Sequence, residues 1–240
     1  MKALIVLAGA ALTFSTLGIA AQIEPCPSGS FVDYLAIAAT GCSVDGLQLS
    51  GFTLLSAPAG STSLAASAIT VNPFGPSNPG LQFGVNATAG PSQLFEAVSS
   101  FNVASLPGGS AVVGASLIQN GASATGDATV LATESFCLGG NVGATGACSG
   151  GTPGDRSLGT LTLSGLSEGV DTLTFGTPRS QLGVTVDFSV EGGSPGSASL
   201  ASVNAQFVTA AIPSRVPEPA TFFLSGAALL GLVAFRRSVS

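Results

Sequence analysis

Val184, Val186, Phe188 and Val190 alternate without a break with Thr185, Asp187, Ser189 and Glu191. A period of two sends one row of side chains to each face of an extended strand, apolar inward and polar outward, as a sheet with one solvated side requires. The run closes at Gly192-Gly193-Ser194-Pro195-Gly196, a cluster of turn residues. Weaker alternation recurs at 47–55, 81–85, 101–103, 158–163, 173–175 and 203–207, between Gly, Pro, Ser or Asn breakers. Short runs spaced this way predict a mainly β body, an antiparallel, jelly-roll-like β-sandwich.

The chain is long enough, at 240 residues, for one such domain. Its core is thin in large side chains. Of 14 phenylalanines, Phe14, Phe222, Phe223 and Phe235 fall near the two ends. The rest carry most of the packing, at roughly 1.5–3 kcal/mol each when fully buried. Phe31, Tyr34 and Leu35, followed by Ile37-Ala38, read as a short helix or turn against an open end of the sandwich. Residues 139–157, rich in Gly, Ser and Thr, read as a flexible loop.

Both ends carry targeting signals. Residues 1–21 run from Lys2 through an apolar stretch to small residues, the order of a secretory signal peptide, with cleavage expected between Ala21 and Gln22. A transmembrane or buried helix fits less well there, because Thr13, Ser15 and Thr16 soon interrupt the apolar stretch. The body then spans 22–213 and a sorting segment 214–240. In that segment Pro217 and Pro219 stop any preceding helix. Residues 220–235 follow, apolar or small apart from Thr221 and Ser225, and as a helix would reach about 24 Å. That is short for a bilayer core of about 30 Å, but local thinning and snorkelling of Arg236 and Arg237 make up the difference. The two arginines set the topology, with the body outside and the basic end in the cytoplasm.

Val216-Pro217-Glu218-Pro219-Ala220-Thr221, the apolar run, and Arg236-Arg237 in that order resemble the PEP-CTERM sorting tag. The resemblance implies recognition of Pro217, Glu218 and Pro219 by a membrane-embedded exosortase after signal peptidase has acted. It also implies export across the inner membrane, transient anchoring, and a final place on the cell surface or outside, often in exopolysaccharide matrix. The body resembles a group of such tagged proteins of unknown function, through Asp33-Tyr34-Leu35, Thr40-Gly41-Cys42-Ser43-Val44, residues 47–52, Asn78-Pro79-Gly80 and Gly196-Ser197-Ala198-Ser199-Leu200. That likeness implies a shared secreted domain with no assigned activity.

Four cysteines, Cys26, Cys42, Cys137 and Cys148, suit disulfides in an exported chain. Three connectivities are possible. The sequence-local one, Cys26–Cys42 with Cys137–Cys148, is favoured, and its second bridge would staple the glycine-rich stretch. A zinc site would need closer cysteine pairs or histidine.

The absence of histidine removes Ser-His-Asp and Cys-His chemistry, and no lysine follows Lys2 to serve as a nucleophile or base. A paired-carboxylate glycosidase is the one charge-based option, with Glu96, Asp127, Glu134, Asp171, Asp187 and Glu191 as candidates. Against it stand the absence of tryptophan and a single tyrosine, Tyr34. Calcium ligands would come from Asp127, Asp155 or Asp171, but no EF-hand loop pattern occurs. Gly139-Gly140-Asn141-Val142-Gly143 and Gly150-Gly151-Thr152-Pro153-Gly154 lack the lysine of a phosphate-binding loop. Arg156, Arg179 and Arg215 are too few and too scattered for nucleic acid. The expectation is a non-enzymatic, cofactor-free surface protein, an exopolysaccharide or biofilm matrix component. The alternative is a carbohydrate- or matrix-binding module of β-sandwich type, which requires a concave patch on one sheet where Phe, Asn, Gln and Asp side chains converge.

Overall fold

The computed structural model describes residues 23–55, 59–158 and 168–211, with backbone alone at 152–158 and 168. The leader, the sorting segment with Pro217, Glu218, Pro219, Arg236 and Arg237, and the expected strand residues 159–163 lie outside the described residues. Among the described residues no helix is long and apolar enough to cross a membrane.

The chain opens with β1 (Gly29–Ser30), α1 (Phe31–Ala36), β2 (Cys42–Val44) and β3 (Leu47–Leu55). Next come β4 (Thr62–Ser63), β5 (Thr70–Phe74), β6 (Gly80–Ala89), β7 (Leu94–Ser105) and β8 (Ser110–Asn120). The second half runs through β9 (Ser123–Thr125), β10 (Thr129–Leu138), β11 (Asn141–Val142), β12 (Cys148–Ser149) and β13 (Thr152–Leu158). Three long strands follow, β14 (Glu168–Arg179), β15 (Gln181–Glu191) and β16 (Ser197–Ala211).

The strands form two sheets. Sheet one has the order β1-β5-β6-β16-β8-β14 and sheet two the order β13-β10-β15-β7-β3-β2. The four-strand blocks β6-β16-β8-β14 and β7-β15-β10-β13 are the two layers of a jelly roll, because the chain changes sheet between nearly all successive long strands. β1 with β5, and β2 with β3, widen the layers at their edges.

β15 is the strand that the alternation predicts: Val184, Val186, Phe188 and Val190 are buried, while Thr185, Asp187 and Ser189 are half-buried on the outer side. β8 and β10 lack a comparable signal. Their inward positions include Ala115, Gln119, Ala132 and Glu134, small or polar residues that blur the contrast between faces.

Between the sheets lies an aromatic cluster. Phe101 sits among Phe52, Phe83 and Phe207 at ring-centre distances of 5.8, 6.2 and 6.3 Å. α1 closes the open edge as expected. Phe31 and Tyr34 are buried, and the Tyr34 ring meets Phe52 edge-on at 4.9 Å. The Tyr34 hydroxyl donates to the Pro27 carbonyl at 2.6 Å, so this polar tip is satisfied despite burial. The helix start is held by Asp33, whose Oδ2 accepts from the Ser30 amide at 2.8 Å and the Ser30 hydroxyl at 2.9 Å.

Both disulfides take the local pairing, Cys26–Cys42 and Cys137–Cys148. The stretch at 139–157 is not the free loop its composition suggests. β11 and β12 form a hairpin, and β13 pairs with β10. Polar contacts replace the missing apolar anchors. Asn102 accepts at Oδ1 from the Val142 amide (2.7 Å) and donates from Nδ2 to the Val142 carbonyl (3.3 Å). Gln181 Nε2 donates to Asn141 Oδ1 at 2.7 Å. The hairpin thus lies as a flap on the outer face of sheet two. Gly183 permits this approach, since a Cβ there would stand 2.4 Å from the Val142 amide nitrogen.

Candidate functional site

Sheet one exposes a neutral polar face. Val71, Leu81, Phe83, Leu117, Val203 and Ala205 point into the core and are buried. Their chain neighbours Asn72, Gln82, Ile118 and Asn204 therefore point outward. The strand register places Asn72 opposite Gln82, Gln82 opposite Asn204, Asn204 opposite Ile118, and Ile118 opposite Val170. One row thus crosses five strands. A second row runs Phe74–Gly80–Gln206–Ser116–Thr172 and a third Thr70–Gly84–Ser202–Asn120–Glu168.

The amides on this face have spare hydrogen-bonding capacity. Asn120 Nδ2 donates to Ser202 Oγ at 3.3 Å. The side chains of Asn72, Gln82, Asn204 and Gln206 make no hydrogen bond to other described residues; Asn204 Oδ1 is covered, which leaves Nδ2 as the Asn204 group open to a ligand. A primary amide offers both donors and acceptors, the pattern that vicinal hydroxyls match. Phe74 supplies the one aromatic ring. It leans over Gly80, where an added Cβ would lie 2.9 Å from the ring. Phe, Asn and Gln thus share this face of one sheet, without the aspartate of the expected patch.

Sheet two carries a second feature on its outer face. A cleft of about 500 Å³ is lined by Leu54, Leu55, Glu96, Val98, Ala144, Thr145 and Asp187, with the flap as one wall. Asp187 stands opposite Val98, and Glu96 opposite Ser189, so the two residues are diagonal neighbours on adjacent strands, with backbones about 7–8 Å apart. Burial, and then the charge of Glu96, push the Asp187 carboxyl up to about 6. In Glu96→Gln the Asp187 midpoint should fall only part of the way to the ordinary aspartate value, because burial persists. Carboxyl-carbon NMR against pH measures this, and an unmoved midpoint would show that the two groups do not interact.

The other sequence candidates are dispersed. Asp127 Oδ1 accepts from the Ser194 amide at 2.9 Å and so fixes a turn. Asp171 Oδ1 accepts from the Thr172 amide at 2.8 Å. Glu191 Oε2 takes a long contact of 3.5 Å from the Thr129 hydroxyl. Glu134 points between the sheets, buried, with neither carboxylate oxygen hydrogen-bonded. Burial holds its carboxyl well above the usual range. The Asp155 side chain lies outside the described residues. The structure thus brings together Glu96 and Asp187 and separates the rest. The amide rows have no signature in the sequence, although Gln82 and Asn204 are each flanked by two residues that become buried and Asn72 follows buried Val71.

No curated protein matches the chain. Among solved structures it is similar to TmCBM61, solved in complex with β-1,4-galactotriose, at 16% identity over 53% of this chain and 69% of that one, with a TM-score of 0.28. It is also similar to the enzymatically active domain of bacteriophage CBA120 tailspike protein 4, at 13% identity over 71% of this chain, with a TM-score of 0.26. The match spans 20% of the tailspike chain. At these scores neither likeness bears on the site. The sorting segment is different: residues 215–238 match the PEP-CTERM protein-sorting motif, so this jelly-roll chain carries that sorting tag near its C-terminus.

Proposed function

We propose that this chain is a non-enzymatic glycan-binding module of the cell surface, with the outer face of sheet one as its binding surface. The carrying observation is the row of in-register amides without hydrogen-bond partners among the described residues, centred on Asn204. In this reading the leader at 1–21 is removed by signal peptidase. The apolar run at 220–235, backed by Arg236 and Arg237, then holds the chain in the membrane for an exosortase acting near Pro217-Glu218-Pro219. The module ends among exopolysaccharide, as a matrix component that holds polysaccharide through its own face.

A glycan-array screen of the full chain in detergent micelles tests this, with a Gln82→Ala/Asn204→Ala double variant beside it. Reproducible binding to one sugar class is expected, weakened about tenfold or more in the variant. Two lost neutral hydrogen bonds at about 0.5–1.5 kcal/mol each are of that size. The variant's thermal midpoint should hardly change, because both side chains lie outside the core. A silent array would overturn the proposal.

The Glu96–Asp187 cleft favours one second reading. Two carboxyl groups share this cleft, the pairing of groups that a glycoside hydrolase uses, although its lining has no aromatic ring. Release of reducing ends from bound oligosaccharide, abolished in Asp187→Asn, would move the function to hydrolysis.

A further inference from the structure

The direction and charge of the rows on sheet one narrow the class of glycan, an inference that rests on the glycan-binding reading above. We infer that the face takes a single, neutral, extended β-linked chain lying across the strands, about one sugar ring per strand. Adjacent strands are about 4.8 Å apart, close to the advance of one pyranose ring in such a chain. Five strands in register, from Asn72 on β5 to Val170 on β14, give a track of roughly 19 Å. Along it the amides of Asn72, Gln82 and Asn204 repeat once per strand, and every ring of an extended chain, although turned over relative to the last, carries hydroxyls along its edges. Ile118 and Val170 continue the track with apolar surface for the C–H faces of the rings; Val170 is 59% exposed.

Charge excludes polyanions and polycations as the matched ligand. Glu168, at the end of the third row, is the one charged residue at all fifteen positions. Twist excludes a crystalline surface. At about 20–25° per strand the track rotates by roughly a quarter-turn from end to end, which one flexible chain can follow and a flat crystal face cannot. A helical α-1,4 chain curls away from the track after a few rings.

Calorimetry on the full chain in detergent micelles tests this with cellohexaose, xylohexaose and mannohexaose against maltohexaose and hexagalacturonate. At least one extended neutral hexaose should bind about tenfold or more tightly than maltohexaose, hexagalacturonate and its own disaccharide. The Gln82→Ala/Asn204→Ala variant should lose that preference. Maltohexaose or hexagalacturonate binding as tightly as every extended hexaose would overturn the inference and leave the glycan-binding reading standing. So would an affinity that does not rise from disaccharide to hexaose. Extended-chain binding undiminished in the variant would place the site elsewhere and overturn both. Silence toward every glycan on the array removes the parent reading, and this inference with it.

Discussion

Phe101→Ala is expected to cost about 3–5 kcal/mol, the usual loss when a fully buried phenylalanine is cut back and its surroundings close only in part. Phe101 is fully buried and touches rings from both layers: Phe52 on its own sheet, Phe83 and Phe207 on the other. Its removal therefore opens the seam between the sheets. Domains of this size are stable by about 5–15 kcal/mol, so one such change takes a large share. Denaturant titration should show a lower midpoint with an unchanged slope. Val208→Ala, at a position 38% exposed, is the control and should shift stability little. A Phe101→Ala loss below about 1 kcal/mol would mean that the cluster does not hold the layers together.

Replacing Glu134 should act in the opposite direction. Its carboxyl is buried between the sheets without a hydrogen-bond partner, and burial raises its pKa well above the ordinary value. The folded chain therefore keeps this proton at a pH where the unfolded chain has released it. A group of this kind favours the folded state most at acid pH. Stability then falls as pH rises through the ordinary carboxylate range toward the raised folded pKa, by up to about 1.4 kcal/mol per pH unit. Glu134→Gln should remove this slope. Glu134→Met should remove the slope and also the cost of an unpartnered polar group, gaining about 1–3 kcal/mol more.

Asp187 contributes a slope of the same sign up to about pH 6, so the comparison belongs in an Asp187→Asn background. Urea midpoints between pH 4 and 8 provide the measurement. An equal pH slope with and without Glu134 would show that this carboxyl is hydrated in solution. The jelly roll tolerates such a residue because β10 pairs with β15 along its whole length, from Thr129–Glu191 to Leu138–Leu182. Continuous backbone pairing keeps Glu134 on the inward face whatever its side chain prefers.

The two faces of the sandwich have different chemistry for reasons of packing. Sheet two is covered in part by the disulfide-bonded flap, which forms one wall of the cleft that holds Glu96 and half-buried Asp187. Among the described residues sheet one has no comparable cover, and its outward positions are mostly amides, hydroxyls and small residues, joined by Phe74, Ile118, Val170 and Glu168. A surface without charges in close array loses no charge hydration when a neutral polymer covers it. Low charge in the chain as a whole, 8% of residues, is consistent with such a partner.

Sequence by itself determined the features that depend on neighbours along the chain. The Val184-to-Val190 alternation specified a half-buried strand, and Phe31 with Tyr34 specified a short helix or turn against the sandwich, which the structure resolves as a helix. The short spacings within each cysteine pair selected the local disulfides, and the Pro-Glu-Pro run with its basic end identified the sorting tag. Tertiary structure alone decided which distant residues meet. Asn72, Gln82 and Asn204 come from separated strands, and only the register of a jelly roll sets them in one row. The same register buries Glu134 and brings Glu96 diagonal to Asp187. Local periodicity reports which face of its own strand a residue occupies, whereas the partner on that face is set by pairings between strands far apart in sequence.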